Sequence, residues 1–152
     1  MRKKWVTTFV SLCIIALLIS TGRDKLMNFP ITRLQMSESP WSLVSNNAYF
    51  FAWAVPLTEM IICLMLLWLP IRKWGFITSF ILFSAFTIYI GVLMVFVPHL
   101  PCSCGAIMAE LSWWQHLGIN IVFLILSFWG VSNEFYYSKR EQISKDKFIA
   151  HS

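Results

Sequence analysis

Two stretches without a single Asp, Glu, Lys or Arg constrain this chain more than anything else in it: Trp74 to Ala109 and Leu111 to Asn133. Soluble domains carry about 25% charged residues; here the figure is 12%, against 58% hydrophobic. Crossing ~30 Å of hydrocarbon takes roughly 20 apolar residues in a helix. In lipid the backbone must also satisfy its own hydrogen bonds, which leaves helices as the spanning form for runs of this length. The chain is therefore expected to be all-α, an integral membrane four-helix bundle. A net charge of +5 would point a soluble protein towards nucleic acid. Here the basic residues sit at the ends of apolar runs, where membrane topology explains them.

Taken in order, Met1-Arg2-Lys3-Lys4 followed by the apolar run from Trp5 to Thr21 has the outline of a signal peptide. No small-x-small cleavage site follows it. The residue before Cys13 is Leu12, which does not fit a lipoprotein signal. The run reads as an uncleaved first span, about 5–27, stopped by Pro30 because proline cannot continue a helix. Thr32 to Asn47 is polar and reads as an external loop. The second span, about 48–69, contains Pro56 and Glu59, and Pro70, Arg72, Lys73 and Trp74 form a basic turn after it. The third span is about 75–97. After the segment Pro98–Met108, Ser112-Trp113-Trp114-Gln115 has the Ser-x-x-Gln form of a capping box and opens the fourth span, about 113–135. This gives one transmembrane domain, 1–137, and a cytoplasmic polar tail, 138–152.

Orientation follows from the basic residues beside the spans. With the N-terminus inside, Arg2, Lys3, Lys4, Arg72, Lys73, Lys139, Arg140, Lys145 and Lys147 lie inside; only Arg23, Lys25 and Arg33 lie outside. Nine of twelve favours both termini in the cytoplasm. The loop with Cys102 and Cys104 then faces outward, in a bacterium across the inner (plasma) membrane into the periplasm, where disulfides persist.

That loop holds the residues that call for chemistry. Cys102 and Cys104 are one residue apart, so a disulfide between them closes a small ring, and strained, exposed disulfides are the labile ones. A thiolate is the reacting species. Against redox activity stand a static disulfide that only ties the loop, and a copper or zinc site using Cys102 and Cys104 with His99, His116 or Met108. The usual zinc pattern needs a second cysteine pair, so no metal is expected. Glu59 lies near the middle of the second span, where a lone carboxylate is costly and faces the bundle interior. Lys25, Arg23, His116 and Asn120 are its candidate partners. A proton relay, a weakly supported quinone site, and an acid that merely locks two helices all remain open. His116 and Asn120 are four apart and share a helix face. His116 is a candidate to take up a thiol proton, and equally a hydrogen-bonding residue at the interface. Cys13 and Cys63 are most simply small buried hydrophobes.

Several of these residues also carry a family likeness. Gly22-x-x-Lys25-Leu26-x-Asn28-Phe29, Ser39-Pro40, Pro56-x-x-Glu59, Pro101-Cys102-Ser103-Cys104-Gly105 and Leu111-Ser112-Trp113-x-x-His116-Leu117-x-x-Asn120 resemble the MauE/DoxX-like membrane proteins, in particular the methylamine-utilisation MauE branch. The likeness covers roughly residues 5 to 135. It implies a four-helix inner-membrane protein tied to redox maturation of periplasmic proteins, alongside a thioredoxin-like or disulfide-rich partner. Ala106 departs from the family's Cys-x-Cys-Gly-Gly form. The expected function is thus that of an inner-membrane thiol–disulfide redox protein, a possible thiol–disulfide oxidoreductase, with Cys102, Cys104, His116 and Glu59 as its working residues and its cofactor unknown. The rivals are a non-enzymatic membrane scaffold with a static disulfide and a copper- or zinc-handling membrane protein. Methylamine as the pathway does not follow from the residues.

Overall fold

A computed structural model of the chain describes residues 2–96 and 113–150. Among the described residues the regular structure is helical throughout: α1 (Arg2–Met27), α2 (Phe29–Ser37), α3 (Ser42–Asn46), α4 (Ala48–Leu67), α5 (Arg72–Phe96) and α6 (Trp113–Ala150), with a 3₁₀ turn at Leu69–Ile71 joining α4 to α5. Four stretches are long and apolar enough to cross a membrane: Trp5–Met27, Ala48–Leu67, Leu69–Val95 and Trp114–Tyr136. At 1.5 Å per residue the shortest of them, with 20 residues, covers about 30 Å.

The long helices alternate in direction around a closed ring, with α1 against α4, α4 against α5, α5 against α6, and α6 back against α1. The ring encloses an apolar core built from Val10, Ile14, Leu18, Ile62, Leu66, Phe76 and Phe83. The outer faces are just as apolar. Phe9, Leu64, Ile81, Ile88, Ile125 and Phe128 are all exposed, a surface that fits a lipid environment. Helices approach most closely where a side chain is missing. A Cβ on Gly130 of α6 would run into the Phe76 ring of α5, which is itself fully buried.

Two stretches differ from the sequence reading. The first helix does end at Met27, but Pro30 does not stop the chain, which re-enters a helix at Phe29 and holds it to Ser37. Pro30 stands in the first turn of α2, where its missing N–H has no intrahelical partner to lose. α2 packs along α4, with Phe29 against Tyr49 and Trp53 at centroid distances of 5.7 and 5.0 Å. The buried Thr32 hydroxyl bonds back to the carbonyls of Lys25 and Asn28. The stretch expected as an external loop thus holds two short helices, and Trp41, before α3, meets Tyr89 of α5. The second difference is at the C-terminus. α6 runs unbroken to Ala150, so the mixed-charge stretch from Ser138 is helical. No Gly or Pro follows Gly130 to interrupt it.

At the end of the bundle that carries the N-terminus, Arg72 ties three helices together. Its Nε and Nη2 donate to Glu134 Oε1 of α6 at 2.9 and 2.5 Å, and its Nη1 donates to the Thr8 hydroxyl of α1 at 3.4 Å. Beside it, the Lys73 ammonium lies 3.7 Å from the Phe135 ring centroid.

Candidate functional site

The opposite end of the bundle holds the second charged cluster, and it is built from α1, α4, α5 and α6. On α1, Thr21, Gly22 and Lys25 follow one another at helical spacing on a single face, since residues three and four apart are neighbours. Arg23 falls off that face and is exposed. On α4 the partner is Glu59, whose side chain is 0% exposed. It lies one turn beyond Pro56, which removes the backbone donor that would otherwise bond the Ala52 carbonyl.

The Lys25 ammonium donates to Glu59 Oε1 at 2.5 Å and is itself only 17% exposed. It also sits 5.1 Å from the centroid of the Phe86 ring of α5. Of the partners considered for Glu59, the structure thus selects Lys25. Gly22 makes the approach possible, because a Cβ there would lie 3.0 Å from Glu59 Oε2 and would strike the end of Met60. The second carboxylate oxygen, Oε2, is buried and has no hydrogen-bond partner among the described residues. The Thr21 hydroxyl lies beside the carboxylate but donates to the carbonyls of Leu17 and Leu18, at 3.1 and 3.3 Å.

α6 contributes His116 and Asn120 to the same end. His116 is half-buried within range of the Lys25 charge, and its Nδ1 has no hydrogen-bond partner among the described residues. Asn120, one turn on, is buried. A carboxylate and an ammonium from two helices therefore meet, an imidazole from a third stands within range of the ammonium's charge, and one carboxylate oxygen and one imidazole nitrogen have no partner among the described residues. In a bundle that faces lipid, such atoms have no bulk water to turn to. Ionisable groups within membrane-spanning segments are rare and are candidates for a functional role.

Cys102 and Cys104, with His99 and Met108, lie outside the described residues, as does Ser112 of the expected capping box. By connectivity they belong to the segment between Phe96 and Trp113, and His116 stands three residues into the helix that follows. Cys13 and Cys63 are free thiols. Cys63 is buried and points its Sγ at the Ile15 carbonyl, 3.8 Å away, while Cys13 is half-buried. The Arg72–Glu134 pair at the other end was not anticipated from sequence. The available signal was that Glu134 is the first acid after one charge-free run and Arg72 and Lys73 are the last bases before the other.

The family model for methylamine utilisation protein MauE matches residues 3–133. No curated protein and no solved structure matches the chain.

Proposed function

The chain belongs to the MauE family of membrane proteins, and from that premise we propose that it is a thiol–disulfide exchange protein of the bacterial inner membrane. Cys102 and Cys104 form the exchanging pair, on the periplasmic side, with both termini in the cytoplasm. Its partner is a thioredoxin-like or disulfide-rich periplasmic protein. One thiolate of the pair attacks a partner disulfide, or a partner thiolate attacks the Cys102–Cys104 bond. Either way one S–S bond forms as one breaks, through a mixed disulfide.

The observation that carries the reading is that His116 stands three residues into the helix that follows the cysteine segment, half-buried and within range of the charge of Lys25, which is paired with the buried Glu59. Thiol chemistry needs a group that takes a proton from the attacking thiol and returns it to the leaving thiolate. An imidazole is suited to that role near neutral pH. His116, three residues into the helix that follows the cysteine segment, fills it here. The side of the membrane rests on the nine-to-three distribution of basic residues. Arg72 and Lys73 lie at the end of the bundle opposite the Lys25 cluster.

The test is to express Cys104→Ser and Cys102→Ser variants in native membranes and trap mixed disulfides. Capture of a periplasmic protein by one variant and not the other is the expected result. If neither variant captures a partner and thiol labelling of the wild type does not respond to redox poise, the pair is a static staple and the proposal is wrong.

A further inference from the structure

The polar stretch from Thr32 to Asn47, expected as a loop in water, is held at membrane depth at both of its ends. α4 has 20 residues, which cover about 30 Å and leave none to spare, so Ala48 stands at the edge of the hydrocarbon. Phe29, the first residue of α2, packs on both Tyr49 and Trp53 of α4. Trp53 is five residues past Ala48, about 7.5 Å further in. At the other end, Trp41 meets Tyr89 of α5 with ring centroids 5.9 Å apart. Tyr89 lies six residues, about 9 Å, inside Val95, where the third apolar stretch ends. Centred on ~30 Å of hydrocarbon, that stretch of 27 residues overhangs by about 5 Å at each end, which leaves Tyr89 about 4 Å inside the edge. Between these two contacts α2 is tied to α1, because the buried Thr32 hydroxyl donates to the Lys25 carbonyl at 3.2 Å.

The exposed side of α2 is divided in two. Ile31 and Leu34 are exposed and neighbours on one face, with Met27 exposed just before them, while Arg33 and Ser37 are exposed and neighbours on a polar edge. α3 adds the exposed Leu43 beside the buried Val44. A loop in water would hold this apolar patch open to solvent, which soluble surfaces rarely do. Trp41, Tyr49 and Trp53 are all exposed at the same level, and Trp and Tyr are the residues enriched where membrane meets water.

We propose that α2 and α3 form a lipid-binding surface that lies in the headgroup layer, with Met27, Ile31, Leu34 and Leu43 set into the acyl-chain boundary and Arg33 and Ser37 on the headgroup side. In-plane amphipathic helices seat their apolar face roughly 5–10 Å into that boundary, the depth at which Phe29 and Trp41 are anchored. The occupant of the face is phospholipid, because that depth places it below the level a soluble protein reaches. The inference holds for either orientation of the chain and does not depend on the cysteine pair.

The test uses the full-length protein in phosphatidylcholine nanodiscs, which leave both membrane faces open, in a Cys13→Ala/Cys63→Ala/Cys102→Ser/Cys104→Ser background. A spin label is attached in turn at Leu34→Cys, Leu43→Cys and Ser37→Cys. Ile88→Cys, at an exposed position within the α5 span, is the lipid reference. Collisions are measured with oxygen, which concentrates in lipid, and with a nickel chelate, which stays in water. The expected oxygen-to-nickel ratios at Leu34 and Leu43 are several-fold above that at Ser37 and approach that at Ile88. Ratios at Leu34 and Leu43 as low as that at Ser37 overturn the proposal and leave the face open to a soluble protein. If the cysteine-free chain does not fold, the unmodified protein is photolysed with a phosphatidylcholine carrying a diazirine in its acyl chain. Adducts on residues 31–43 are then expected, and adducts confined to the four spans overturn the proposal.

Discussion

Lys25→Met keeps most of the apolar length of the side chain and deletes its charge, so it isolates what the ammonium does for Glu59. The carboxylate is 0% exposed, Oε1 loses its 2.5 Å donor, and Oε2 already has none. Removing one partner of a buried ion pair costs about 3–5 kcal/mol, because the other charge is left uncompensated. A ceiling applies, because a carboxyl can take up a proton instead. From an ordinary value near 4.3 to pH 7 that costs roughly 3.7 kcal/mol at 1.36 kcal/mol per unit. The expected loss is therefore about 3–4 kcal/mol at pH 7, shrinking as the pH falls towards 5. Glu59→Gln in the same background removes the stranded charge. The double variant should recover at least ~2 kcal/mol relative to additivity, as residues in direct contact do. Unfolding in detergent micelles, followed by tryptophan fluorescence or steric trapping, measures all four corners of the cycle. A single variant within ~1 kcal/mol of the parent, or strictly additive effects, would refute the claim that the pair holds α1 to α4.

Gly130→Ala should destabilise by about 1–3 kcal/mol, since the new methyl meets the buried Phe76 ring and overpacking dominates. Gly118→Ala, whose Cβ would meet nothing within 4 Å, should be neutral or stabilising by up to ~1 kcal/mol from helix propensity; equal effects at the two sites in thermal melts would contradict the packing. Pro30→Ala should change stability by less than ~0.5 kcal/mol, as Pro30 is exposed in the first turn of α2. A large loss in the same melts would mean that the proline is holding the break at Asn28. Glu134→Gln, which removes the charge on the acceptor of two Arg72 hydrogen bonds, should cost about 2 kcal/mol. Lys73→Ala should cost less than ~1 kcal/mol through its ring contact with Phe135. Chemical denaturation of the two single variants checks that order.

The spans were legible because uninterrupted apolar runs leave few alternatives in lipid, and Glu59 stood out because a carboxylate there is costly. The sequence left the partner of Glu59 open between Lys25, Arg23, His116 and Asn120; the structure selects Lys25, three residues from Gly22 on the face that meets α4, while Arg23 is exposed. What the sequence hid has physical causes. Pro30 looks like a stop signal, yet proline is tolerated in a first turn, and whether a helix restarts depends on α4 offering Tyr49 and Trp53 to pack against. The helical C-terminal stretch has no apolar stripe to announce it and forms by continuation from α6. Arg72 and Glu134 are distant in sequence, and the bundle's closure through α1 and α6 is what brings Thr8 to the same place.

Turnover of Cys102 and Cys104 on the outer face of the membrane can be read by labelling intact cells with a membrane-impermeant maleimide, using a Cys13→Ala/Cys63→Ala protein. Little labelling is expected as isolated, with full labelling of both cysteines after brief external reduction, and loss of labelling within minutes once the reductant is washed out. Labelling that requires permeabilised membranes would contradict the orientation, and a pair that stays reduced or stays closed throughout would contradict the exchange.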